Sequence, residues 1–336
     1  MRAQVIHAHG EIADIRFEPN WPDPVPGAGE VVLRVKACTL NYHDFFTLKG
    51  MPGISLTFPL IMGIDVAGEV AELGAGVTQW KVGDRVLVNP FDAKTGKLLG
   101  ERMDGGLAEF VKVEAKQLIV LPDEVSFEQG AALPVAYGTA YRMMVARGKL
   151  QPGEKVFVLG ASGGVGTCCV QLAKLAGCHV IAAASSDEKL ERLKALGADE
   201  GVNYTNADWM REIQKRHGKA RFGGEGAGGV DVVVNFTGGD TWVPSLRCLT
   251  NDGRLLTCGA TAGFDPKEDI RYIWTFELNI IGSNAWLRED IVSLLDLVKT
   301  KKLIPVVDRV FPLEETRTAF QLLQERKVFG KIAIAP

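Results

Sequence analysis

Between residues 30 and 120 the chain carries short apolar runs broken by glycine and proline, the pattern of a β-rich, turn-rich unit. Val31-Val32-Leu33-Arg34-Val35-Lys36-Ala37 mixes apolar and polar positions as a half-buried strand does, and Val66-Ala67-Gly68-Glu69-Val70 and Arg85-Val86-Leu87-Val88 read the same way. From Glu154 the pattern changes. Apolar strands at 155–159 and 179–184 alternate with helical stretches at 164–175 and 187–196, and strands at 230–235, 254–258 and 279–282 continue the series. Such alternation implies crossover units and a parallel sheet buried on both faces. After residue 285 come an amphipathic helix at 291–300, a strand at 306–311, a helix at 313–325 and a last strand at 331–334. That tail is too short to form a domain, so it is expected to rejoin the N-terminal β unit. The expectation is an α/β chain with a doubly wound parallel-sheet domain over 125–284 and a β-rich domain built from 1–124 and 285–336.

The strongest local motif is Gly160-Ala161-Ser162-Gly163-Gly164-Val165-Gly166, entered from the apolar run Val156-Phe157-Val158-Leu159 and leaving into a helix. Gly160 and Gly163 permit a tight turn and close approach of backbone to a pyrophosphate. Gly166 lets the helix pack on the strand, and the helix N-terminal amides attract the anion. A glycine triplet alone is weak evidence, but the strand before, the helix after and the second strand behind supply the required context. The glycine-rich stretch 223–229 precedes a strand instead and is expected to be a flexible surface loop.

An NAD site usually places Asp or Glu at the tip of the second strand to hold the ribose 2′-hydroxyl. Here the tip reads Ala184-Ser185-Ser186-Asp187-Glu188-Lys189, with no carboxylate at the strand end. Ser185, Ser186 and Lys189 are suited to a 2′-phosphate, which points to NADPH. Ser186 is equally read as a helix N-cap, and Asp187 leaves NADH open.

Composition adds limits. Of 336 residues, 46% are hydrophobic and 24% charged, with a net charge of -3, so an ordinary core can be buried. No basic arm points to nucleic acid, and no apolar run is long enough to span a bilayer. The six cysteines, at 38, 168, 169, 178, 248 and 258, form no CxxC pair and suit free thiols. With no apolar core of signal-peptide length at the N-terminus, the cytoplasm is the expected location.

Taken in order, the motifs resemble the medium-chain dehydrogenase/reductase superfamily, in particular its zinc-free quinone oxidoreductase (zeta-crystallin-like) branch. They are Asn41-Tyr42-His43-Asp44, Phe58-Pro59, Gly63-Ile64-Asp65-Val66-Ala67-Gly68-Glu69-Val70, Gly83-Asp84-Arg85-Val86, Gly105-Gly106-Leu107-Ala108-Glu109, Ala131-Ala132-Leu133-Pro134, Gly138-Thr139-Ala140-Tyr141, the glycine turn, Leu196-Gly197-Ala198-Asp199 and Gly330-Lys331-Ile332. The resemblance implies a GroES-like catalytic domain from both chain ends, a Rossmann domain between them, and a homodimer. It also implies cofactor contacts. Thr139 would lie near the nicotinamide and Tyr204 near the adenosine phosphate. Asn235, Thr237 and Gly238 would approach the ribose, and Gly259, Ala260, Ser283 and Asn284 would border the nicotinamide, with Lys331 nearby.

Related alcohol dehydrogenases hold zinc with thiolate and imidazole ligands. Their first ligand position appears here as Asn41, their Gly-His-Glu as Gly63-Ile64-Asp65, and the third falls near Ala131. Residues 89–103 contain no cysteine for a structural zinc loop. Cys38 reads as a core thiol and His43 has no obvious partner, so no metal is expected. Without a Lewis acid, the acceptor most easily reduced by hydride is a quinone or an α,β-unsaturated carbonyl, whose developing oxyanion needs a hydrogen-bond donor. Asn41 and Tyr42 are the candidates, with Asp44 orienting the loop and Asp65 lining the pocket. Two other readings stay open. Likeness of the Asn41-Tyr42-x-Asp44 segment to acryloyl-CoA reductases admits a thioester-activated substrate, and an NADPH-binding redox sensor without turnover is also compatible. Tyr272, Trp274 and Trp286 are read either as cleft-lining or as domain packing.

Overall fold

The computed structural model describes residues 1–53, 55–92, 95–205, 208–222 and 228–336. The chain divides into two compact units, Met1–Tyr137 with Arg288–Pro336, and Gly138–Leu287.

The first unit is built around the long strand Glu30–Thr39, whose Val31, Leu33, Val35 and Cys38 enter the core. Its outward charged residues are supported at the surface: Arg34 lies over the Phe110 ring and Lys36 pairs with Glu69. Asp65–Leu73 and Phe110–Glu114 pair with it antiparallel, and Arg85–Val88 and Leu118–Val120 extend the sheet beyond Asp65–Leu73. On the other side lies the last strand of the chain, Lys331–Ala335, flanked in parallel by Val307–Pro312. The tail thus returns to the N-terminal unit, as its length suggested.

Register positions the site. Thr39 is paired with Asp65 on one side and with Ala333 on the other. Continuing the second register sets Lys331 opposite Asn41, and the Leu40 N–H donates to the Ile332 carbonyl at 3.0 Å. The ends of three strands therefore bring residues 41, 65 and 331 to one point.

The first domain boundary falls after Tyr137, not at 124. The helix Phe127–Ala131 and the wide helical turn Leu133–Tyr137 belong to the first unit because their backbone is tied to its strands. The Ala131 carbonyl accepts from Thr39 Oγ1 at 2.9 Å, and the Val135 N–H donates to Asp65 Oδ1 at 3.0 Å. On sequence grounds this segment falls in the next domain, and tertiary hydrogen bonds place it in the first unit. The second boundary falls after Leu287, three residues beyond the expected 284.

The second unit carries six parallel strands. Across the sheet they run Glu200–Asn203, His179–Ala184, Lys155–Val158, Val230–Val234, Leu249–Thr257 and Asn279–Gly282, which in chain order is 3-2-1-4-5-6. This is the doubly wound Rossmann arrangement. The central strands are apolar because helices cover both faces. Glu200–Asn203, a short strand containing glycine, escaped the apolar-run criterion. Of the expected loop at 223–229, residues 223–227 lie outside the described residues. Among the described residues no helix is long and apolar enough to cross a membrane.

Candidate active site

In the first unit, Lys331 and Asp65 form an ion pair at 3.2 Å with side chains 3% and 0% exposed. The Lys331 ammonium also donates to Asn41 Oδ1. Asn41 Nδ2 donates to Asp65 Oδ2 at 2.9 Å and lies 3.4 Å from the Thr39 carbonyl. This amide orientation is the one that sets carbonyl against ammonium and NH2 against carboxylate. Both Asp65 oxygens are engaged. Oδ2 receives Lys331 and Asn41, with Thr39 Oγ1 3.2 Å away and its single proton nearer the Ala131 carbonyl, and Oδ1 receives the Val135 N–H. The Asn41 amide, expected to serve as an acceptor-facing donor, is thus engaged within the cluster.

Asp44 lies fully buried next to it. Its Oδ2 accepts the Asn41 N–H at 2.7 Å, as a loop-orienting residue would, while Oδ1 has no partner among the described residues. Burial pushes the Asp44 carboxyl up to about 6, against the pull of the Asn41 N–H and the charges of His43 and Lys331. Tyr42 is 40% exposed; its ring packs against Phe45 and Phe46 and its hydroxyl makes no hydrogen bond among the described residues. His43, for which the sequence suggested no partner, has one: Nε2 lies 2.6 Å from Glu101 Oε2. Glu101 is 58 residues away in sequence and no local signal pointed to it.

In the second unit, nearly every residue expected to contact a nucleotide lies just beyond the carboxyl end of a parallel strand, where such sheets bind ligands. Gly160–Gly166 follows the first strand, Ser185 and Ser186 the second, and Tyr204 the third. Asn235, Thr237 and Gly238 follow the fourth, Gly259 and Ala260 the fifth, and Ser283 and Asn284 the sixth. Thr139 sits half-buried on the short helix Gly138–Tyr141. Lys189 lies within the helix Asp187–Ala195, and Lys331 is held in the other unit by Asn41 and Asp65.

The glycine turn shows two different uses of glycine. A Cβ on Gly166 would lie 2.4 Å from the Gly160 carbonyl oxygen, so the helix Gly164–Leu175 needs glycine to reach its turn. Gly163 is different. Its backbone is extended (φ -83°, ψ 176°) and a Cβ would meet only the Gly160 oxygen at 3.7 Å. Neither conformation nor internal packing requires glycine there. The open space and the uncapped first-turn amides fit a pyrophosphate. Ser283 Oγ is a buried hydroxyl with no partner among the described residues, which also suits a bound group. Asn235 behaves otherwise. Its carboxamide donates to Thr241 and Ser245 and accepts the N–H groups of Thr237 and Gly238, so it shapes the loop. Ser186 caps the helix Asp187–Ala195 by accepting the Lys189 N–H. Tyr272 packs on Phe276 in the core of the unit, and Trp274 is exposed.

Family models describe residues 27–123 as an alcohol dehydrogenase GroES-like domain and 164–300 as a zinc-binding dehydrogenase. Quinone oxidoreductase-like protein 2 of Bos taurus is 30% identical, with 95% of this chain and 88% of that protein covered. Acryloyl-coenzyme A reductase of Metallosphaera sedula is 29% identical over 99% of both chains. A crystal structure of an NAD-dependent alcohol dehydrogenase superposes over 100% of both chains with a TM-score of 0.92 and 35% identity. The chain belongs to the medium-chain dehydrogenase/reductase superfamily.

It is therefore an oxidoreductase of that superfamily, whose members bind a nicotinamide cofactor, and the glycine turn, strand order and Ser283 fit that group. Zinc fits less well. At Asn41, Ile64 and Ala131 the donors are a carboxamide committed to Asp65 and Lys331, an aliphatic side chain and a methyl group. An ammonium, itself a cation, lies among them. Cys38 is close by, because a Cβ on Gly63 would meet its sulfur at 2.7 Å, but burial holds its thiol well above the usual value. Among the described residues no group of three or more His, Cys, Asp or Glu is placed to hold a metal ion.

Two outcomes follow from this geometry. Gly163→Ala is expected to weaken dinucleotide binding by about 10-fold with little change in melting temperature, because only the ligand approaches there. Gly166→Ala is expected to lower stability by roughly 1–3 kcal/mol through the clash with the Gly160 carbonyl. Fluorescence titration and thermal melts read both, and equal losses of stability in the two variants would contradict the distinction.

A further expected outcome concerns Asp44. Its carboxyl is raised from 3.8 to about 6 in the folded chain, so the folded state binds the proton more tightly than the unfolded one. Stability from this group falls as pH rises between those two values, and the full cost is present above the higher one. Asn at this position keeps the acceptor without the charge. Asp44→Asn should therefore gain stability relative to wild type between pH 4 and pH 8, on the order of 1–3 kcal/mol. A difference in melting temperature that is constant with pH would contradict it.

Proposed function

We propose that this chain is an NADPH-dependent reductase that transfers a hydride to a quinone or an α,β-unsaturated carbonyl without zinc. The observation that carries this reading is the Asn41–Asp65–Lys331 cluster, which sets an ion pair and an amide where zinc-dependent relatives need metal ligands. When bound, the nicotinamide supplies two electrons as a hydride. The protein must then stabilise an oxyanion and provide a proton.

Tyr42 is the donor aimed at that oxyanion: its phenol is exposed and unengaged among the described residues. Lys331 contributes fixed positive charge. Two of its three N–H donors are held by Asn41 and Asp65, so its role is that of an oriented charge beside the developing oxyanion. Asp65 orients Lys331, and Asp44 pins the Leu40–Asn41 peptide through the Asn41 N–H. NADPH is favoured over NADH because the strand His179–Ala184 ends without a carboxylate, while Asp187 accepts from Asn203 at 3.3 Å. Ser185, Ser186 and Lys189 would receive the 2′-phosphate.

A second reading, an enoyl-thioester reductase, is supported by the full-length likeness to acryloyl-coenzyme A reductase. The same proposal includes a cytoplasmic homodimer with only small-molecule substrates. The edge strand Asn279–Gly282 with exposed Ile280 supports the dimer, and a monomer in sedimentation at micromolar concentration would contradict it.

The decisive experiment follows NADPH oxidation with 1,4-benzoquinone, 2-alkenals and crotonyl-CoA. The expected outcome is turnover with a quinone or alkenal, faster with NADPH than NADH. Tyr42→Phe should lower kcat by about 100-fold with KM little changed. Preference for crotonyl-CoA would select the second reading. NADPH binding without turnover would leave a non-catalytic redox sensor, and zinc-dependent oxidation of primary alcohols would overturn the proposal.

A further inference from the structure

We infer that His43 and Glu101 form a proton-donating dyad in the first unit, in which His43 delivers the proton that completes substrate reduction and Glu101 positions its ring. This inference rests on the reductase reading above.

The geometry is that of an oriented imidazole. His43 Nε2 lies 2.6 Å from Glu101 Oε2, and the Glu101 side chain is only 8% exposed. Glu101 is itself held in place, with its N–H donating to the Leu98 carbonyl and Arg102 Nε 3.4 Å from its second carboxylate oxygen. His43 is 32% exposed, and its Nδ1 has no hydrogen-bond partner among the described residues. A buried carboxylate that fixes one ring nitrogen while the other stays open is the arrangement a general acid requires.

Its place in the unit supports the same role. His43 directly follows Asn41 and Tyr42 and opens the helix His43–Lys49. The Phe46 ring is met edge-on by both the His43 and the Tyr42 rings, each at 5.8 Å, so the imidazole and the phenol flank one phenyl. Tyr42 can then hold the acceptor oxygen while His43 serves the atom that takes the proton.

The step balances as follows. Hydride addition at the β-carbon of an enone leaves an enolate. The enolate C=C electron pair takes the proton from His43 Nδ1. That N–H bond breaks, the α-carbon gains a C–H bond, and the carbonyl re-forms. The imidazole is left neutral and regains a proton from water through its exposed edge. With a quinone, the bond formed is O–H on the hydroquinone oxygen. One hydride from the reduced nicotinamide and one proton from solvent are consumed per turnover.

The test uses the full-length enzyme, with melting curves confirming fold, and compares wild type, His43→Ala and Glu101→Gln with the best acceptor. His43→Ala should lose about 100-fold or more in kcat with KM within a few-fold, and added imidazole should restore part of the rate. Glu101→Gln, nearly isosteric, should lose about 10-fold in kcat and gain nothing from imidazole, because the ring is still present. Wild-type rates in His43→Ala would overturn the dyad alone. So would a loss that imidazole does not restore. Absence of turnover by the wild-type enzyme with every acceptor would overturn the reductase reading, and the dyad with it.

Discussion

The buried ion pair of Lys331 with Asp65, bridged by the Asn41 amide, is the interaction on which the rest of this structure depends. Taking two charges out of water is expensive, and removing one partner of such a pair typically costs about 3–5 kcal/mol. The cost is offset here because the Asp65 oxygens accept from Lys331, the Asn41 amide and the Val135 N–H. The partners lie 266 residues apart. The tail is thereby locked to the first sheet by chemistry as well as by strand pairing, and a strand from each chain end and the turn after Ala131 converge on one polar point in an apolar core.

The same arrangement divides the chemistry between the units. The second unit offers backbone and open space: a glycine turn, uncapped amides, strand ends and one orphaned hydroxyl. The first unit offers charge and protons. Lys331 is fixed, burial pushes the Asp44 carboxyl up to about 6, the Tyr42 hydroxyl is unengaged among the described residues, and His43 is backed by Glu101. A zinc centre would polarise an acceptor oxygen as a Lewis acid. In our reading the ammonium and the phenol take that role more weakly, which suits acceptors already activated by conjugation.

Much of this was legible in the sequence because its cues are local. Strand, glycine turn and helix at 155–175 are adjacent in the chain, so apolar runs and glycine spacing place them to within a residue or two. The family resemblance also drew attention to Asn41 and Ile64, a carboxamide and an aliphatic side chain. What sequence could not supply was pairing across distance. Glu101 as the partner of His43, Asp65 as the partner of Lys331, and the self-satisfied amide of Asn235 all depend on folded geometry. The boundary at Tyr137 was misplaced for the same reason. Only the hydrogen bonds of residues 127–137 to Thr39 and Asp65 show which unit they join.

The account turns on whether the position held by Asn41, Asp65 and Lys331 can take a metal. The direct measurement is the zinc content of the chain by mass spectrometry after dialysis against excess zinc, alongside turnover before and after chelation. The account predicts less than about 0.1 zinc per chain and turnover unchanged by the chelator. One zinc per chain, with activity lost on its removal and restored on its return, would contradict it.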